Sequence, residues 1–240
     1  MKKLFNRFII DFCAEGFMAL RLVIGFFVLT FALSSYGQII EPGNAPNKSQ
    51  RKLMDRGYGM FIHFGVNTFS GHEWSDGTTP VEKYNPTRLD CEQWVRVAKD
   101  AGFRYVLLVT KHHDGFCMYD TKETDFSIAH GAFKDNPKKD VARYVFDAFR
   151  KKDFMIGAYF SKPDWHCPYY WWPYYATPDR NVNYKIANHP ERWEKFCQFT
   201  YNQIGELMKG YGDFDILWLD GGWVGSAKQD IHMDKIVDMA

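Results

Sequence analysis

The sequence predicts an α/β fold, about the first four βα units of a (β/α)8 TIM-type barrel. Three observations lead there. Short apolar segments alternate with amphipathic helical ones, which implies parallel strands joined by crossover helices. Each apolar segment runs into polar residues or glycine at its carboxyl end, where a parallel barrel builds its site. The first strand ends in H-F-G-V-N-T with no G-x-G-x-x-G, so the phosphate turn of a doubly wound nucleotide-binding sheet is missing. A complete barrel takes about 250 residues, and 51–240 is expected to supply roughly its amino-terminal half.

Taken in order, the first strand is expected over Gly59 to Val66 (GMFIHFGV), followed by a long loop. A helix is expected from Cys91 to Ala101, with Asp90 as its cap, Gly102 as its stop, and Trp94, Val97, Ala98 and Ala101 on its buried face. Tyr105 to Thr110 (YVLLVT) reads as the second strand. The helix after it runs from Val141 to Lys151, capped by Asp140, with Val145, Ala148 and Phe149 turned inward. The third strand is Met155 to Phe160. After an aromatic loop, the third helix begins with Pro190 in its first turn, runs to about Tyr211 and stops at Gly212. Its apolar residues Trp193, Phe196, Cys197, Thr200, Ile204, Leu207, Met208 and Tyr211 keep helical spacing. The fourth strand is Asp215 to Leu219, and a fourth helix starts near Gln229.

Composition bounds the function. The 240 residues are 46% hydrophobic and 25% charged with a formal net charge of +1, an ordinary folded-domain balance that lacks the basic footprint a nucleic-acid binder needs. Aromatic residues reach 18%, including 8 Trp and 14 Tyr. Such rings suit either a large core or the apolar faces of sugars.

Leu22 to Leu33 form an apolar run after Arg21 and before Ser34-Ser35-Tyr36-Gly37, so 1–37 reads as a signal peptide cleaved after Gly37 and 38–50 as a linker. Asp11 and Glu15 are out of place in a positive leader, which suggests translation from Met18. The run is shorter than the roughly 18 apolar residues of a membrane helix; an exported protein with no membrane span is expected. Of five cysteines, Cys13 falls in the leader. Cys91, Cys117, Cys167 and Cys197 show no C-x-x-C spacing and read as buried thiols.

Strand ends carry the chemistry. The first ends at His63, the second runs into Lys111-His112-His113-Asp114, the third carries Tyr159 into Ser161, and the fourth ends in Asp220-Gly221-Gly222. An apolar strand closing on a carboxylate and two glycines places the Asp where a substrate approaches the backbone closely. Alone, such an Asp is equally a cap or turn former; four converging strand ends favour a site.

In this order and spacing, G-M-F-I-H-F-G with E-W ten residues after the His, then T-K-H-H-D-G-F, Y-F-S and L-W-L-D-G, resemble family 29 of the glycoside hydrolases, the α-L-fucosidases. The resemblance covers Gly57 to about Val224. It implies a retaining exo-glycosidase that releases terminal α-L-fucose from fucosylated glycans without a cofactor. It implies that Asp220 is the nucleophile and that His63, Glu73, His112 and His113 contact sugar hydroxyls, with Tyr159 nearby and Trp74 and Trp218 giving apolar or edge contacts. Neighbouring strand residues face opposite ways, so His112 and His113 both reach the site only if the strand has ended before them. Glu73 also reads as a plain surface carboxylate of the first loop. The family's acid is a Glu from farther along, and none is found before Ala240, while half a barrel leaves open strand edges and an unfinished core, so the chain by itself is expected to be inactive and poorly stable. The loop P-D-W-H-C-P-Y-Y-W-W-P-Y-Y departs from the family pattern and leaves linkage preference open.

Two other readings compete. A metal site of His63, His112, His113 and Asp220 lacks H-x-H or H-E-x-x-H spacing. A non-catalytic sugar-binding protein would use the aromatic loop Trp165 to Tyr175 as its platform.

Overall fold

The computed structural model describes residues 45–172 and 181–240. The expected signal peptide, most of the linker and the end of the aromatic loop lie outside the described residues. A helix, α1, spans Lys48–Arg56 and so begins inside the stretch read as linker. The strands are β1 Gly59–Ile62, β2 Tyr105–Lys111, β3 Met155–Ser161 and β4 Ile216–Asp220. All pair in parallel, in the order β1-β2-β3-β4. Sequential order without reversal means every crossover runs the same way round the sheet, and no switch point forms between the described strands.

Between the strands run a helical turn, α2 (Asn67–Ser70), then α3 (Cys91–Asp100), α4 (Val141–Arg150), α5 (Pro190–Gly210) and α6 (Met233–Met239). Their starts follow local chemistry. Asp90 Oδ1 accepts from the Gln93 N–H at 2.9 Å, and Asp140 Oδ1 from the Arg143 N–H at 3.0 Å, each satisfying a first-turn donor that a helix leaves orphaned. Pro190 opens α5, where its missing N–H costs nothing.

Alternation divides the sheet residues between two faces. Val106, Leu108, Ile156, Ala158 and Phe160 join the main core beneath the helices, with Val145, Phe146 and Phe149 of α4 and Phe196, Ile204 and Leu207 of α5. Leu107, Val109 and Tyr159, also buried, point to the opposite face. β2 and β3 are therefore covered on both sides. β1 and β4 pair on one side only among the described residues, and Phe61 and Trp218 on them remain 50% and 49% exposed. Those two rings nonetheless meet edge to face at 5.4 Å, which shows how far the sheet curls.

Two expectations are corrected. β1 stops at Ile62, because from Gly65 onward the chain turns: the Thr68 N–H donates to Gly65 O and the Phe69 N–H to Val66 O. The buried face of α3 is Cys91, Val95 and Ala98, with Trp94 half-buried, Ala101 exposed and Val97 55% exposed. α3 turns Val97 toward a cleft it lines with Met60, Phe61, Ile62, His63, Gln93 and Trp94, on the side where β1 pairs with no other described strand. The four cysteines Cys91, Cys117, Cys167 and Cys197 are free and buried, and no described helix is long and apolar enough to cross a membrane.

Candidate active site

The carboxyl ends of the strands bring most of the singled-out residues to one mouth. Asp220 closes β4 opposite Ser161 of β3, and Trp218 is level with Tyr159. Two-residue periodicity thus puts Tyr159, Ser161, Trp218 and Asp220 on the face opposite the helices. The Tyr159 hydroxyl donates to Asp220 Oδ2 at 2.5 Å, and the Gly221 N–H donates to Asp220 Oδ1 at 2.6 Å. Gly221 has φ +80°, and a Cβ there would lie 2.3 Å from Pro163 Cδ, so only glycine allows this close turn.

Burial of Asp220 acts to raise its pKa. The hydrogen bonds from Tyr159 and Gly221 outweigh it, with smaller contributions from His113 and His112, and the carboxyl is held below its ordinary value. Burial, and then the bond to that carboxylate, raise Tyr159. Asp220 is an ionised acceptor and Tyr159 a neutral donor.

The histidines reach this mouth through a bulge. Val109 pairs with Tyr159 but Lys111 pairs with Phe160, so the register slips around Thr110, whose hydroxyl donates to Tyr159 O at 2.7 Å. The extra residue reverses the alternation: Lys111 turns to the helix side, its ammonium 4.2 Å from the Phe160 ring centre, and His112 turns to the mouth. His113 follows past the strand end, its Nδ1 2.5 Å from Ser161 Oγ. The two imidazoles lie 4.8 Å apart, and His63 lies 4.6 Å from His112. Both can therefore face one ligand. Burial pushes His112 down to about 3, with His63 and His113 adding to the effect and Asp220 opposing it. His63 sits more openly at the rim, yet partial desolvation lowers it too. His112 Nδ1 is buried with no hydrogen-bond partner.

Trp74 leans on His112 at 5.1 Å and on His113 at 5.3 Å, and keeps 44% of its surface exposed. Its neighbour Glu73 is exposed, and its backbone carbonyl accepts from Asn67 Nδ2 at 3.1 Å, a bond that ties the loop. Trp165, the first residue of the aromatic loop, and Trp223, not singled out from the sequence, wall His113 at 5.5 and 5.6 Å. The described part of the aromatic loop is mostly core: Trp165, Tyr170 and Trp171 are buried and Trp172 is exposed. An open aromatic platform is not what those residues build.

A buried ion pair beneath the mouth was also missed. Lys111 Nζ donates to Asp164 Oδ2 at 3.0 Å with both side chains inaccessible. Asp164 Oδ1 accepts from the His166 and Cys167 N–H groups at 3.0 and 2.8 Å, and the Trp165 N–H donates to His113 O at 2.8 Å. The loops after β2 and β3 are thereby locked together. Gly115 (φ +89°) permits it, since a Cβ there would come within 2.2 Å of Asp164 Oδ1. Asp114 alongside accepts from the Phe116 N–H, and burial, with nearby Asp164 opposing ionisation, raises it to about 7. A lysine ending an apolar strand and an Asp after Ser-Lys-Pro were the available signals, but nothing local links them.

Among the described residues, the metal-type donors that converge are Glu194, Cys197 and His232, whose ligand atoms lie within 4.8 Å of one another. The His232 to Glu194 contact at 3.0 Å and the Cys197 thiol donating to Asp230 O at 3.6 Å already occupy them. His63, His112, His113 and Asp220 are not part of that group.

A family model described as Alpha-L-fucosidase matches residues 78–240. Alpha-L-fucosidase 1 of Arabidopsis thaliana is 32% identical over 187 residues, which cover 78% of this chain and 33% of that protein. The solved α-L-fucosidase isoenzyme 1 from Paenibacillus thiaminolyticus superposes with a TM-score of 0.65 at 30% identity, over 80% of this chain and 47% of its own. An α-L-fucosidase from Bacteroides thetaiotaomicron, solved as a trapped covalent intermediate with 2-fluoro-fucosyl fluoride, gives 0.66 at 25% identity, over 82% and 48%. The chain spans about a third of the length of the curated relatives it matches. With the family model covering well over half of its residues, this chain belongs to the α-L-fucosidase family.

Proposed function

We propose that the protein carrying this chain is a retaining exo-α-L-fucosidase acting on fucosylated glycans through Asp220, and that 51–240 forms about the first half of its (β/α)8 barrel. One observation carries the reading most: at the end of β4 an ionised carboxylate, held by the Tyr159 hydroxyl and the Gly221 N–H, stands beside the His112 imidazole, which burial keeps neutral, with His63 lowered by the same cause. Neutral imidazoles exchange hydrogen bonds with sugar hydroxyls without pairing off the nucleophile's charge. The half-exposed Trp74 and Trp218 offer apolar faces to the sugar C–H groups. The single-sided pairing of β1 and β4 supports closure by further strands on both edges.

In this reading an Asp220 oxygen attacks the anomeric carbon as the glycosidic C–O bond breaks, and the leaving oxygen takes a proton from a second carboxyl group about 5 to 5.5 Å away. Water then cleaves the glycosyl ester, giving its proton back to that group. The acid is expected past Ala240, and its absence alone costs about a hundred- to ten-thousand-fold in rate.

The test is chromophore release from an aryl α-L-fucoside by this chain and by a version extended through the downstream reading frame. Turnover in the extended protein that Asp220→Asn abolishes, with fucoside binding retained, supports the reading; turnover that survives Asp220→Asn, or no turnover in either protein, sinks it. Export rests on the apolar run at 22–33 and is checked by sequencing the mature amino terminus, expected after Gly37.

A further inference from the structure

Trp74 reaches the mouth on the loop after β1, and that loop is tied on both sides of it. On one side Asn67 Nδ2, in the helical turn α2, donates to Glu73 O at 3.1 Å. On the other, Gly77 O lies 2.8 Å from Nδ1 of His166, a residue of the loop after β3. A carbonyl oxygen only accepts, so Nδ1 carries the proton of this hydrogen bond whether the ring is neutral or charged. His166 is held in turn: its ring stacks on Phe126 with centroids 4.1 Å apart and planes 12° apart, and its backbone N–H donates to Asp164 Oδ1 at 3.0 Å. The two loops meet at backbone contact. Gly77 is buried at φ +83°, and a Cβ there would lie 2.8 Å from the Trp165 carbonyl carbon and 2.9 Å from His166 N, a seat that only glycine fits. Ser75 couples this seat to its neighbour Trp74. Its hydroxyl accepts from the Gly77 N–H at 3.4 Å, meets Thr79 Oγ1 at 2.9 Å and bonds Asp114.

We infer that His166 is a positioning residue that seats Gly77 and thereby holds Trp74 against His112, His113 and Trp165, so that a sugar meets a ring already set in place. The inference deepens the fucosidase reading and rests on it for the identity of the ligand. Trp74 lies 5.1, 5.3 and 5.7 Å from those three rings and keeps 44% of its surface exposed; a ring fixed beforehand spares the binding step the cost of ordering it. His166 belongs to the loop that departs from the family pattern, so the family motifs do not supply this tie. An apolar contact from Trp74 acts alike on bound sugar and transition state, and its loss shows in KM more than in kcat.

The test is aryl α-L-fucoside kinetics on the extended protein. His166→Phe keeps a ring to stack on Phe126 but has no Nδ1, and KM should rise by roughly three- to tenfold, the equivalent of one neutral hydrogen bond, with kcat within about twofold. His166→Asn returns an amide N–H near the place of Nδ1 and should restore the wild-type KM although the stacked ring is gone, which a packing role would not do. In a Trp74→Ala background His166→Phe should cost nothing further. If His166→Phe does not fold, Gly77→Ala, which pushes the loop off the Trp165–His166 backbone, carries the same cycle. A KM unmoved in His166→Phe, which would mean that Ser75 and Asp114 hold the loop by themselves, overturns the inference. So does a His166→Asn protein as impaired as His166→Phe, or a loss that adds in full to that of Trp74→Ala. Hydrogen–deuterium exchange over 72–79 gives a readout free of turnover. Faster exchange in His166→Phe and wild-type exchange in His166→Asn, in a protein that turns over no fucoside, would sink the fucosidase reading while leaving the tie standing.

Discussion

Replacing Lys111 by methionine removes the positive partner of Asp164 from a place no water reaches. The pair is 3.0 Å apart with side chains 0% and 1% exposed, so the remaining carboxylate is uncompensated except for two backbone N–H groups. Breaking a buried pair from one side costs about 3–5 kcal/mol, against a total stability of about 5–15 kcal/mol for a domain. In urea unfolding followed by tryptophan fluorescence, with a slope of about 2 kcal/mol/M, the midpoint should fall by roughly 2 M. The double variant Lys111→Met/Asp164→Asn should recover most of that loss. Asn keeps an oxygen for the His166 and Cys167 N–H groups and carries no charge to strand. A single variant losing under about 1 kcal/mol, or a double variant as unstable as the single, would refute a dry, charge-paired clamp. The measurement belongs in the extended protein, where both open strand edges are covered on the proposed reading.

Two further outcomes follow from the same site. Burial raises the Asp114 carboxyl to about 7, while the unfolded chain titrates near the ordinary 3.8; the folded form thus binds the extra proton between those values, and stability falls as pH rises through that window. Asp114→Asn should flatten this stretch of the stability–pH curve and gain on the order of 4 kcal/mol above pH 7, and an unchanged slope counts against it. Tyr159→Phe removes one of two donors to Asp220, so the acid limb of the kcat/KM profile should move to higher pH with a drop in kcat; a limb that stays put means Tyr159 does not set the ionisation of Asp220.

The amino-acid order alone determined what depends on neighbours a few residues apart. The βα alternation, the caps at Asp90 and Asp140, the opening of α5 at Pro190 and the carboxylate closing β4 all appear close to where they are expected, because capping and periodicity act over three or four residues. The family motifs named most of the mouth residues, and their position at the carboxyl ends of the strands pointed them to one mouth. What the tertiary structure decided lies across long separations or depends on register. Lys111 meets Asp164 across 53 residues and Tyr159 meets Asp220 across 61, and no local pattern encodes such pairings. The slip at Thr110 reverses the alternation that would have sent His112 to the helices and Lys111 to the mouth, and packing against the core decides that α3 buries Cys91, Val95 and Ala98 and leaves Val97 exposed. Periodicity specifies which residues share a face, but only packing and strand register decide which way that face is turned.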